Sequence, residues 1–250
     1  MFRPRVIPVL LLRQNGLVKT VAFDKPKYIG DPVNAVRIFN DLRADELVFL
    51  DIMATKERRT ISLDFVKDVG EEANMPFAVG GGIRTVKDIR AVLAAGAEKV
   101  IIGSYAAERP EFIAEASAAF GASTIAVCVD VKTSLFGRAK VMTVSGTKAI
   151  ADTPEDFARR MEQRGAGEII VQSIDRDGTM SGYDIDLIGR VSAAVTVPVV
   201  ALGGAGKLDD LRRAFAEGHA TGLAAGSLFV FQGKKRGVLI NYPEKSELTF

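Results

Sequence analysis

The sequence predicts an α/β fold, a single (β/α)8 TIM barrel over residues 1–250, and three observations support this. Eight short apolar runs rich in β-branched residues alternate with mostly amphipathic segments, the pattern of parallel strands that are covered on both faces. The length of 250 residues suits one such barrel. No Ser/Gly tract, charge block or low-complexity run divides the chain into smaller domains.

The apolar runs are the predicted strands, and in chain order they read RVIPVLLL, ELVFLDI, PFAVG, KVIIG, IAVCVD, EIIVQS, PVVALG and GLAAG. Helix starts agree with them, because Pro32, Pro110 and Pro154 follow plausible cap residues and proline is favoured in the first helical turn. After the fifth run, the stretch KTSLFGRAKVMTVSG over residues 132–146 predicts an inserted hairpin that places Ser145 over the active face.

Composition and charge exclude several classes of protein. The formal charge of +2 comes from interspersed signs, so we expect small molecules or proteins as partners and no nucleic acid. No apolar run reaches the roughly 18 to 20 residues of a membrane span, and the start MFRPR lacks the apolar region of a signal peptide. Cys128 is the only cysteine, which fits a reducing cytoplasm. No His/Cys/Asp cluster has metal-ligand spacing, so we expect neither a metal nor a cofactor.

The two halves of the chain are similar, which predicts duplicated half-barrels over about residues 1–122 and 123–250. AVGGGIR from residue 78 is similar to ALGGAGK from residue 201, and IIGS from residue 101 to AAGS from residue 224, both at a spacing of 123 residues. LDI from residue 50 also matches IDR from residue 174, at a spacing of 124 residues. Several matches in the same order at nearly one spacing favour duplication over chance.

The repeat singles out Leu11 and Asp130 at the ends of the first and fifth strands. VLLLR from residue 9 and CVDVK from residue 128 share the frame apolar, apolar, variable, apolar, basic. In such barrels the carboxyl ends of the strands carry the chemistry, and two opposed aspartates would form a general acid and base pair. Leucine cannot transfer a proton, so one half of that pair is absent.

Glycines follow predicted strands in both halves, where bare backbone N–H groups can meet a phosphate at the start of a helix. The glycines are Gly81, Gly82, Gly203 and Gly204, and two glycine-serine pairs, Gly103–Ser104 and Gly226–Ser227, add to them. Such glycines could simply turn the chain. Their repetition in both halves instead favours a ligand with two anionic ends, or an inherited site for one.

Several stretches along the chain carry a family pattern, namely GDPV, DELVFLDI, VGGGIR, RGAGEI, SIDRDGT with SGYD, and GGAGK. Through them the chain resembles, over nearly its whole length, the HisF family, the cyclase subunits of imidazole glycerol phosphate synthase. The resemblance implies a subunit that receives ammonia from a glutaminase, HisH, and uses it to split and cyclise a phosphoribulosyl carboxamide. It further implies that Asp130 is one of two catalytic aspartates, that Lys19 lies beside the other, and that Asp177 and Gly178 belong to a ligand-binding motif.

Departures from the family pattern cluster on the predicted catalytic face. Leu11 replaces an aspartate, Gly103 stands where the family usually has asparagine, and Gln172 where it usually has threonine. Leu202 replaces the serine that usually precedes Gly-Gly. Each change removes or alters a side chain that would act on the cyclase substrate or form a hydrogen bond with it.

Charged residues at the opposite end of the barrel keep the family pattern. The four residues begin the first, second, fourth and sixth strands and match the ring that gates the family's ammonia passage, namely Arg5, Glu46, Lys99 and Glu168. Two pairs of opposite charge can neutralise one another where isolated charges would be costly. The resemblance therefore favours an intact ammonia entrance over solvated charges at strand starts.

The chain is not expected to generate ammonia itself. A glutaminase needs an activated thiolate with a histidine base, and the candidates are Cys128 inside the fifth strand and His219 in a loop before the eighth. These residues fall toward opposite ends of the barrel, so Cys128 is predicted to be a small core residue and His219 a surface residue. A separate HisH-like glutaminase is therefore predicted as a partner.

The charged residues of the ammonia entrance match the family pattern, whereas the catalytic face departs from it. This contrast favours a HisF-like, ammonia-receiving subunit of a glutamine-dependent complex. The stretches PKYIGDPVNAVRIFN from residue 26 and FVFQGKKRGVLINYP from residue 229 resemble the branch that modifies acetamidino sugars, in which a sugar amidotransferase is a further partner. That resemblance implies a role in surface polysaccharide synthesis and a phosphorylated or anionic small-molecule ligand. Two alternatives stay open: a genuine cyclase of histidine biosynthesis, and a noncatalytic scaffold that activates a glutaminase.

Overall fold

A closed barrel of eight parallel strands forms the centre of the computed structural model, which describes residues 3–134, 137–233 and 235–250. The strands, β1 to β8 in chain order, are Arg5–Arg13, Leu47–Asp51, Phe77–Gly80, Lys99–Ile102, Ile125–Thr133, Glu168–Ser173, Val199–Leu202 and Gly222–Ala225. Each strand pairs with the next in parallel, and β8 pairs with β1. The predicted TIM barrel is confirmed; the division into half-barrels at about residue 122 stays a prediction.

Helices cover the outside of the barrel. The helices, α1 to α9 in chain order, are Pro32–Asp41, Leu63–Glu72, Val86–Ala94, Ser104–Glu108, Glu111–Phe120, Pro154–Gln163, Ile185–Ala194, Leu208–Ala216 and Ser227–Val230. Pro32 and Pro154 begin their helices as predicted, each after a side-chain cap, and Pro110 directly precedes α5. Within the described residues no helix is long and apolar enough to cross a membrane.

Two hairpins extend from the carboxyl ends of β1 and β5. After β1, strands Gly16–Val21 and Asp24–Gly30 form an antiparallel pair, and the first of them also pairs antiparallel with the end of β1. After β5, strands Ala139–Thr143 and Lys148–Ala149 do the same. The predicted insertion after the fifth strand is thus present, although Leu135 and Phe136 within it lie outside the described residues. The hairpin after β1 occupies the equivalent position and was not predicted.

After β8 the chain forms one short helix and then an extended carboxyl-terminal segment. After the four-residue helix α9, the short strands Phe231–Gln232 and Gly237–Val238 pair with each other. The chain then reaches the other end of the barrel, where the Tyr242 hydroxyl donates a hydrogen bond to the Val6 carbonyl at 2.9 Å and accepts one from the Asp45 amide at 3.2 Å. Tyr242 therefore anchors this segment beside the starts of β1 and β2.

Strand register relates the halves slightly differently from the letter matches. Leu11 pairs with Leu50 in the first half, as Asp130 pairs with Gln172 in the second. Leu50 in turn pairs with Gly80, and Gln172 pairs with Leu202. The two halves therefore have the same strand register, so Gly81 is structurally equivalent to Gly203 and Gly82 to Gly204. The spacing between these equivalent residues is one residue shorter than the spacing between the similar sequence stretches. The match of LDI at residue 50 with IDR at residue 174 is likewise displaced, by two residues.

Alternate strand residues fill the inside of the barrel, as the period of two requires. Val9 and Leu11 of β1, and Ala126, Cys128 and Asp130 of β5, face this interior. The remaining interior positions are mostly aliphatic, and the larger core lies outside, between strands and helices. The barrel interior is thus an apolar column with polar groups near its two ends.

Candidate functional site

A cavity of about 410 Å³ opens at the carboxyl ends of the strands, and we call it the site cavity. Its walls come from β1 to β6, from the β1 hairpin and from the tip of the β5 hairpin. Among the predicted site residues, the structure brings together here Leu11, Gly81, Gly82, Gly103, Ser104, Asp130 and Ser145. This is the position at which the fold places chemistry.

Leu11 and Asp130 face the site cavity from β1 and β5. Leu11 is 8% exposed and packs among the interior aliphatic residues. Burial is the largest influence on Asp130 and raises the pKa of its carboxyl to about 7, against a partial lowering by a hydrogen bond from Cys128. Asp130 can therefore exchange a proton near neutral pH, and the β1 side of the cavity offers Leu11 in place of a second acid.

Cys128 lies one step deeper in β5 than Asp130. Its thiol donates to Asp130 Oδ1 at 3.4 Å and lies 3.8 Å from Gln172 Oε1. Burial raises the thiol pKa well above its usual range, and the Asp130 carboxylate raises it further. The predicted role of plain core residue is incomplete, because Cys128 also lines the cavity. The period of two that places residues 128 and 130 on one face could have revealed this.

No cysteine-histidine pair for glutamine hydrolysis exists in the described residues. His219 is exposed, in the turn between α8 and β8 at the amino ends of the strands. Cys128 faces the cavity at the other end, and its raised thiol pKa opposes thiolate formation. Cys128 and His219 therefore cannot form the thiolate-histidine pair that a glutaminase requires.

Lys19 points from the β1 hairpin into the barrel and is 6% exposed. Its Nζ donates to the Val9 carbonyl at 2.7 Å. Burial lowers the Lys19 pKa to about 8, and the Asp177 carboxylate partly offsets this. A Cβ on Gly226 would lie 2.0 Å from Nζ, so only glycine leaves room for the ammonium group. Lys19 thus lies in a small cavity of about 20 Å³ that it shares with Gly178, Gly203, Gly204 and Ser227.

Asp177 fixes the β1 hairpin over the barrel. Its Oδ2 accepts from the Thr20 hydroxyl at 2.9 Å, and its carbonyl accepts from the Ala22 amide at 2.9 Å. Gly178 packs so tightly that a Cβ would lie 2.0 Å from the Thr20 carbonyl. Arg236 adds a second tie by donating to the Gly178 carbonyl at 3.1 Å. Asp177 and Gly178 therefore have a structural role that sequence reasoning missed, and their ligand-binding role stays a prediction.

The glycine pairs adopt backbone conformations that require glycine. Gly81, Gly82, Gly203 and Gly204 have φ values of 131°, 67°, 92° and 114°, in the region that side chains disfavour. They approach neighbouring backbone closely; a Cβ on Gly82 would lie 1.8 Å from the Arg59 carbonyl. Turning the chain is therefore a sufficient reason for these four glycines, and phosphate binding by them stays a prediction.

Side-chain carboxylates cap the starts of the long helices α3 and α8. Asp88 Oδ2 accepts from the amides of Arg84 and Thr85 at the start of α3. Asp210 Oδ2 accepts from the Gly206 and Lys207 amides at the start of α8. The shorter helices α4 and α9, which begin at the two glycine-serine pairs, have no side-chain cap. Phosphate binding at any of these positions stays a prediction.

Ser104 and Asp51 make contacts that were not foreseen. Ser104 Oγ accepts from the Val144 amide at 2.8 Å and so attaches the β5 hairpin to α4. Asp51 Oδ1 accepts from the Met53 amide at 3.0 Å, and its other oxygen pairs with Arg59. Both side chains therefore shape the wall of the site cavity.

Basic side chains gather around the mouth of the site cavity. They are exposed residues of the two hairpins and of the strand ends that lead to them: Arg13, Lys25, Lys27, Lys132, Arg138, Lys140 and Lys148. Among residues 3–134, 137–233 and 235–250, none of the seven forms an ion pair, and Asp24 is the one acidic residue in these segments. Of these seven residues, Arg13 lines the site cavity itself, and Asp24, Asp51 and Asp130 are acidic residues of the same lining.

The charged ring of Arg5, Glu46, Lys99 and Glu168 closes the other end of the barrel. Arg5 forms ion pairs with both Glu46 and Glu168. Lys99 Nζ lies 3.5 Å from Glu46 and 3.3 Å from Glu168. All four predicted members therefore meet in one alternating ring, in which each charge has two partners of opposite sign.

Between the charged ring and the site cavity lies a narrow space of about 10 Å³, which we call the bore. Glu46 and Glu168 line its outer end, and its walls are otherwise aliphatic until Cys128. Leu50, Ile101 and Cys128 line both the bore and the site cavity. A space of this size is at the lower limit for a single water-sized molecule, and an unpaired charge would be costly between its aliphatic walls.

No group of three or more potential metal ligands occurs in the described part of the chain. The fold and the site define the chain as a TIM-barrel protein with an acidic group, basic surroundings and glycine-rich strand ends at its active face. Residues 5–235 match the model of a family described as histidine biosynthesis protein.

Several curated proteins are similar over almost the whole chain. A Leptospira borgpetersenii protein named "Putative imidazole glycerol phosphate synthase subunit HisF" is 44% identical over 248 residues, covering 99% of this chain and 98% of that protein. A Vibrio vulnificus protein, whose name ends in "subunit hisF3", is 45% identical over 99% of this chain and 95% of its own length. The "Imidazole glycerol phosphate synthase subunit HisF" of Alkaliphilus metalliredigens is 46% identical over 92% of this chain and 91% of its own. The chain belongs to the histidine biosynthesis protein family as a HisF-like member.

Proposed function

We propose that the chain is the ammonia-receiving subunit of a glutamine-dependent amidotransferase complex and that it does not perform the full cyclase reaction. A HisH-like glutaminase would dock at the charged ring and release ammonia there. The bore would pass neutral ammonia because its walls are aliphatic, and the site cavity would hand ammonia to an acceptor.

The single observation that carries this proposal is the contrast between the two ends of the barrel. The charged ring is complete, with Arg5 and Lys99 each paired to two glutamates. At the other end, Leu11 faces the cavity where the repeat would place a partner for Asp130. Cyclisation by an acid and base pair requires two titratable groups, whereas ammonia delivery requires only a passage.

The acceptor that we propose is an acetamido sugar of a surface polysaccharide, converted to its acetamidino form by a separate sugar amidotransferase. The proposal rests on the resemblance of residues 26–40 and 229–243 to that branch. The unpaired basic side chains around the site cavity suit an anionic acceptor or partner.

A genuine cyclase of histidine biosynthesis is the second candidate. It is favoured by the 46% identity to the Alkaliphilus metalliredigens protein, whose name carries no qualification. Asp130, with a pKa raised to about 7, also keeps one group that can exchange protons.

Complementation separates these two candidates. The gene is expressed in a histidine auxotroph that lacks the cyclase subunit and retains its glutaminase, with the Alkaliphilus metalliredigens relative as positive control. We expect no growth without histidine. Robust growth at equal protein level would overturn the proposal in favour of a cyclase.

A noncatalytic scaffold is the third candidate, and it is tested with the cognate glutaminase. Arg5→Gln and Lys99→Met alter the charged ring without touching the site cavity. If the chain conducts ammonia, both variants should reduce amidation of the acceptor more than they reduce glutamine hydrolysis. Equal amidation in native and variant complexes, with normal glutamine hydrolysis, would instead support a scaffold.

A further inference from the structure

The junction between the bore and the site cavity carries an inference that rests on the proposed function and deepens it. Leu50, Ile101 and Cys128 line both spaces, so any molecule leaving the bore passes between them. Leu50 and Ile101 offer no hydrogen bond, whereas the Cys128 thiol does. The first polar group at the inner end of the bore is therefore Cys128.

Two oxygen acceptors converge on this thiol. Asp130 Oδ1 lies 3.4 Å and Gln172 Oε1 lies 3.8 Å from Cys128 Sγ. The convergence follows from the register, because Asp130 and Gln172 are direct partners in neighbouring strands and Cys128 lies two residues before Asp130 in β5. A thiol has one hydrogen, so it can satisfy only one of the two oxygens at a time.

The cluster combines acceptors with donors. Within the described residues, Cys128 is the one donor to either Asp130 or Gln172 side-chain oxygens. The Gln172 amide also carries two N–H groups of its own, and the raised pKa of Asp130, about 7, lets its carboxyl hold a proton near neutral pH. Lys19, the buried cation nearest in sequence to Leu11, donates instead to the Val9 carbonyl and lines the separate small cavity. The three groups can therefore hold a small molecule that both donates and accepts hydrogen bonds.

Ammonia has the required composition, with three N–H groups and one lone pair. We propose that Cys128, Asp130 and Gln172 form a binding site for ammonia at the exit of the bore. In it, the thiol donates to the ammonia nitrogen, and two N–H groups donate to Asp130 Oδ1 and Gln172 Oε1. The site holds ammonia at the boundary between the aliphatic bore and the open cavity until an acceptor is in place.

Cys128 provides its own reporter, because it is the chain's single cysteine. The rate of its reaction with methyl methanethiosulfonate is measured by intact-mass spectrometry on the full-length chain, in ammonium chloride and in sodium chloride of equal ionic strength and pH. Ammonium chloride should slow labelling severalfold, while sodium chloride leaves it unchanged. An equal rate in the two salts would overturn the proposal.

Gln172→Leu removes one acceptor at similar volume, and protection by ammonium chloride should then fall to near zero. Gln163→Leu, the same change at an exposed position at the end of α6, should keep full protection. Full protection in Gln172→Leu would also overturn the proposal. If Gln172→Leu fails to fold, the labelling rates of the native chain in ammonium chloride and in sodium chloride still test the proposed site.

The labelling experiment needs neither a glutaminase nor an acceptor, so its outcome is independent of complementation. Growth of the auxotroph together with ammonium protection would reject the proposed function and keep the ammonia site. No growth together with no protection would keep the proposed function and reject the site.

Discussion

Leu11 and Asp130 occupy equivalent points on β1 and β5 and face the same cavity with opposite chemistry. Leu11 pairs with Leu50 of the next strand, and Asp130 pairs with Gln172. One wall of the cavity is therefore aliphatic, and the facing wall is polar. A proton that leaves Asp130 therefore meets no titratable side chain at position 11.

Leu11→Asp should destabilise the protein less than Leu11→Asn at neutral pH. Both changes replace a buried aliphatic side chain, which costs about 2 to 4 kcal/mol. Leu11 also lines the small cavity that contains Lys19, so the aspartate gains an ionic partner that asparagine lacks. Thermal unfolding at pH 7 measures the difference. A lower melting temperature for the aspartate variant would show that Lys19 does not reach position 11.

The Leu11→Asp variant also tests how much of the departure from the family depends on one residue. Weak growth of the histidine auxotroph is the expected outcome, because Gly103, Gln172 and Leu202 also differ from the family pattern. If the variant folds and the auxotroph still does not grow, the loss of cyclase activity must depend on those three positions as well as on Leu11.

Gly226→Ala should displace Lys19 and lower the melting temperature. The added Cβ would lie 2.0 Å from Lys19 Nζ, and the hydrogen bond to the Val9 carbonyl would be lost. Losing that bond costs about 1 to 3 kcal/mol, or roughly 2 to 12 °C in a chain of this size. Gly237→Ala, in the exposed strand Gly237–Val238, is the matched control, because its Cβ would meet only the Gln232 carbonyl at 3.8 Å. Equal melting temperatures for the two variants would contradict the steric argument.

The barrel could be predicted from the residues alone, because eight apolar runs set the strand count. The charged ring was predicted from the resemblance to the HisF family. The strand period explains its geometry, because a residue placed an even number of positions before an inward residue also faces inward. Arg5 lies four residues before Val9 in β1, and Glu168 lies four residues before Gln172 in β6.

The surroundings of Lys19 and Asp177 could not be predicted, because they depend on contacts between distant segments. The β1 hairpin folds back over the barrel only because Thr20 and Ala22 bind Asp177, far along the chain. By contrast, the carboxylates that occupy the starts of α3 and α8 left a visible signal. Asp88 follows Thr85 at the spacing of a capping box.

Arg5→Gln should destabilise the protein more than Arg3→Gln. Arg5 is 31% exposed and bridges two glutamates with less than a tenth of their side chains exposed, whereas Arg3 forms one exposed pair with Asp45. Removing one partner of a buried pair leaves charge uncompensated; partial exposure of Arg5 reduces the cost to about 1 to 3 kcal/mol, against 0 to 1 kcal/mol for a surface pair. Urea unfolding at neutral pH measures both. Equal losses would show that Lys99 alone neutralises the ring.

Asp130→Asn should stabilise the protein in a manner that depends on pH. Burial raises the pKa of Asp130 from 3.8 to about 7, so the folded state binds a proton that the unfolded state releases. The stability that native Asp130 contributes is fully present below pH 3.8, decreases as pH rises, and is lost above about pH 7. Asparagine cannot ionise, so the melting temperature of the variant, relative to that of the native chain, should rise between pH 4 and 7. Above that range the variant should melt a constant few degrees higher than the native chain. Melting temperatures from pH 4 to 8 measure this, with the exposed Asp68→Asn as the control for loss of one carboxylate. A difference between Asp130→Asn and the native chain that stays constant across the range would mean that Asp130 is ionised throughout, and the cavity would then lack a group that exchanges protons near neutral pH.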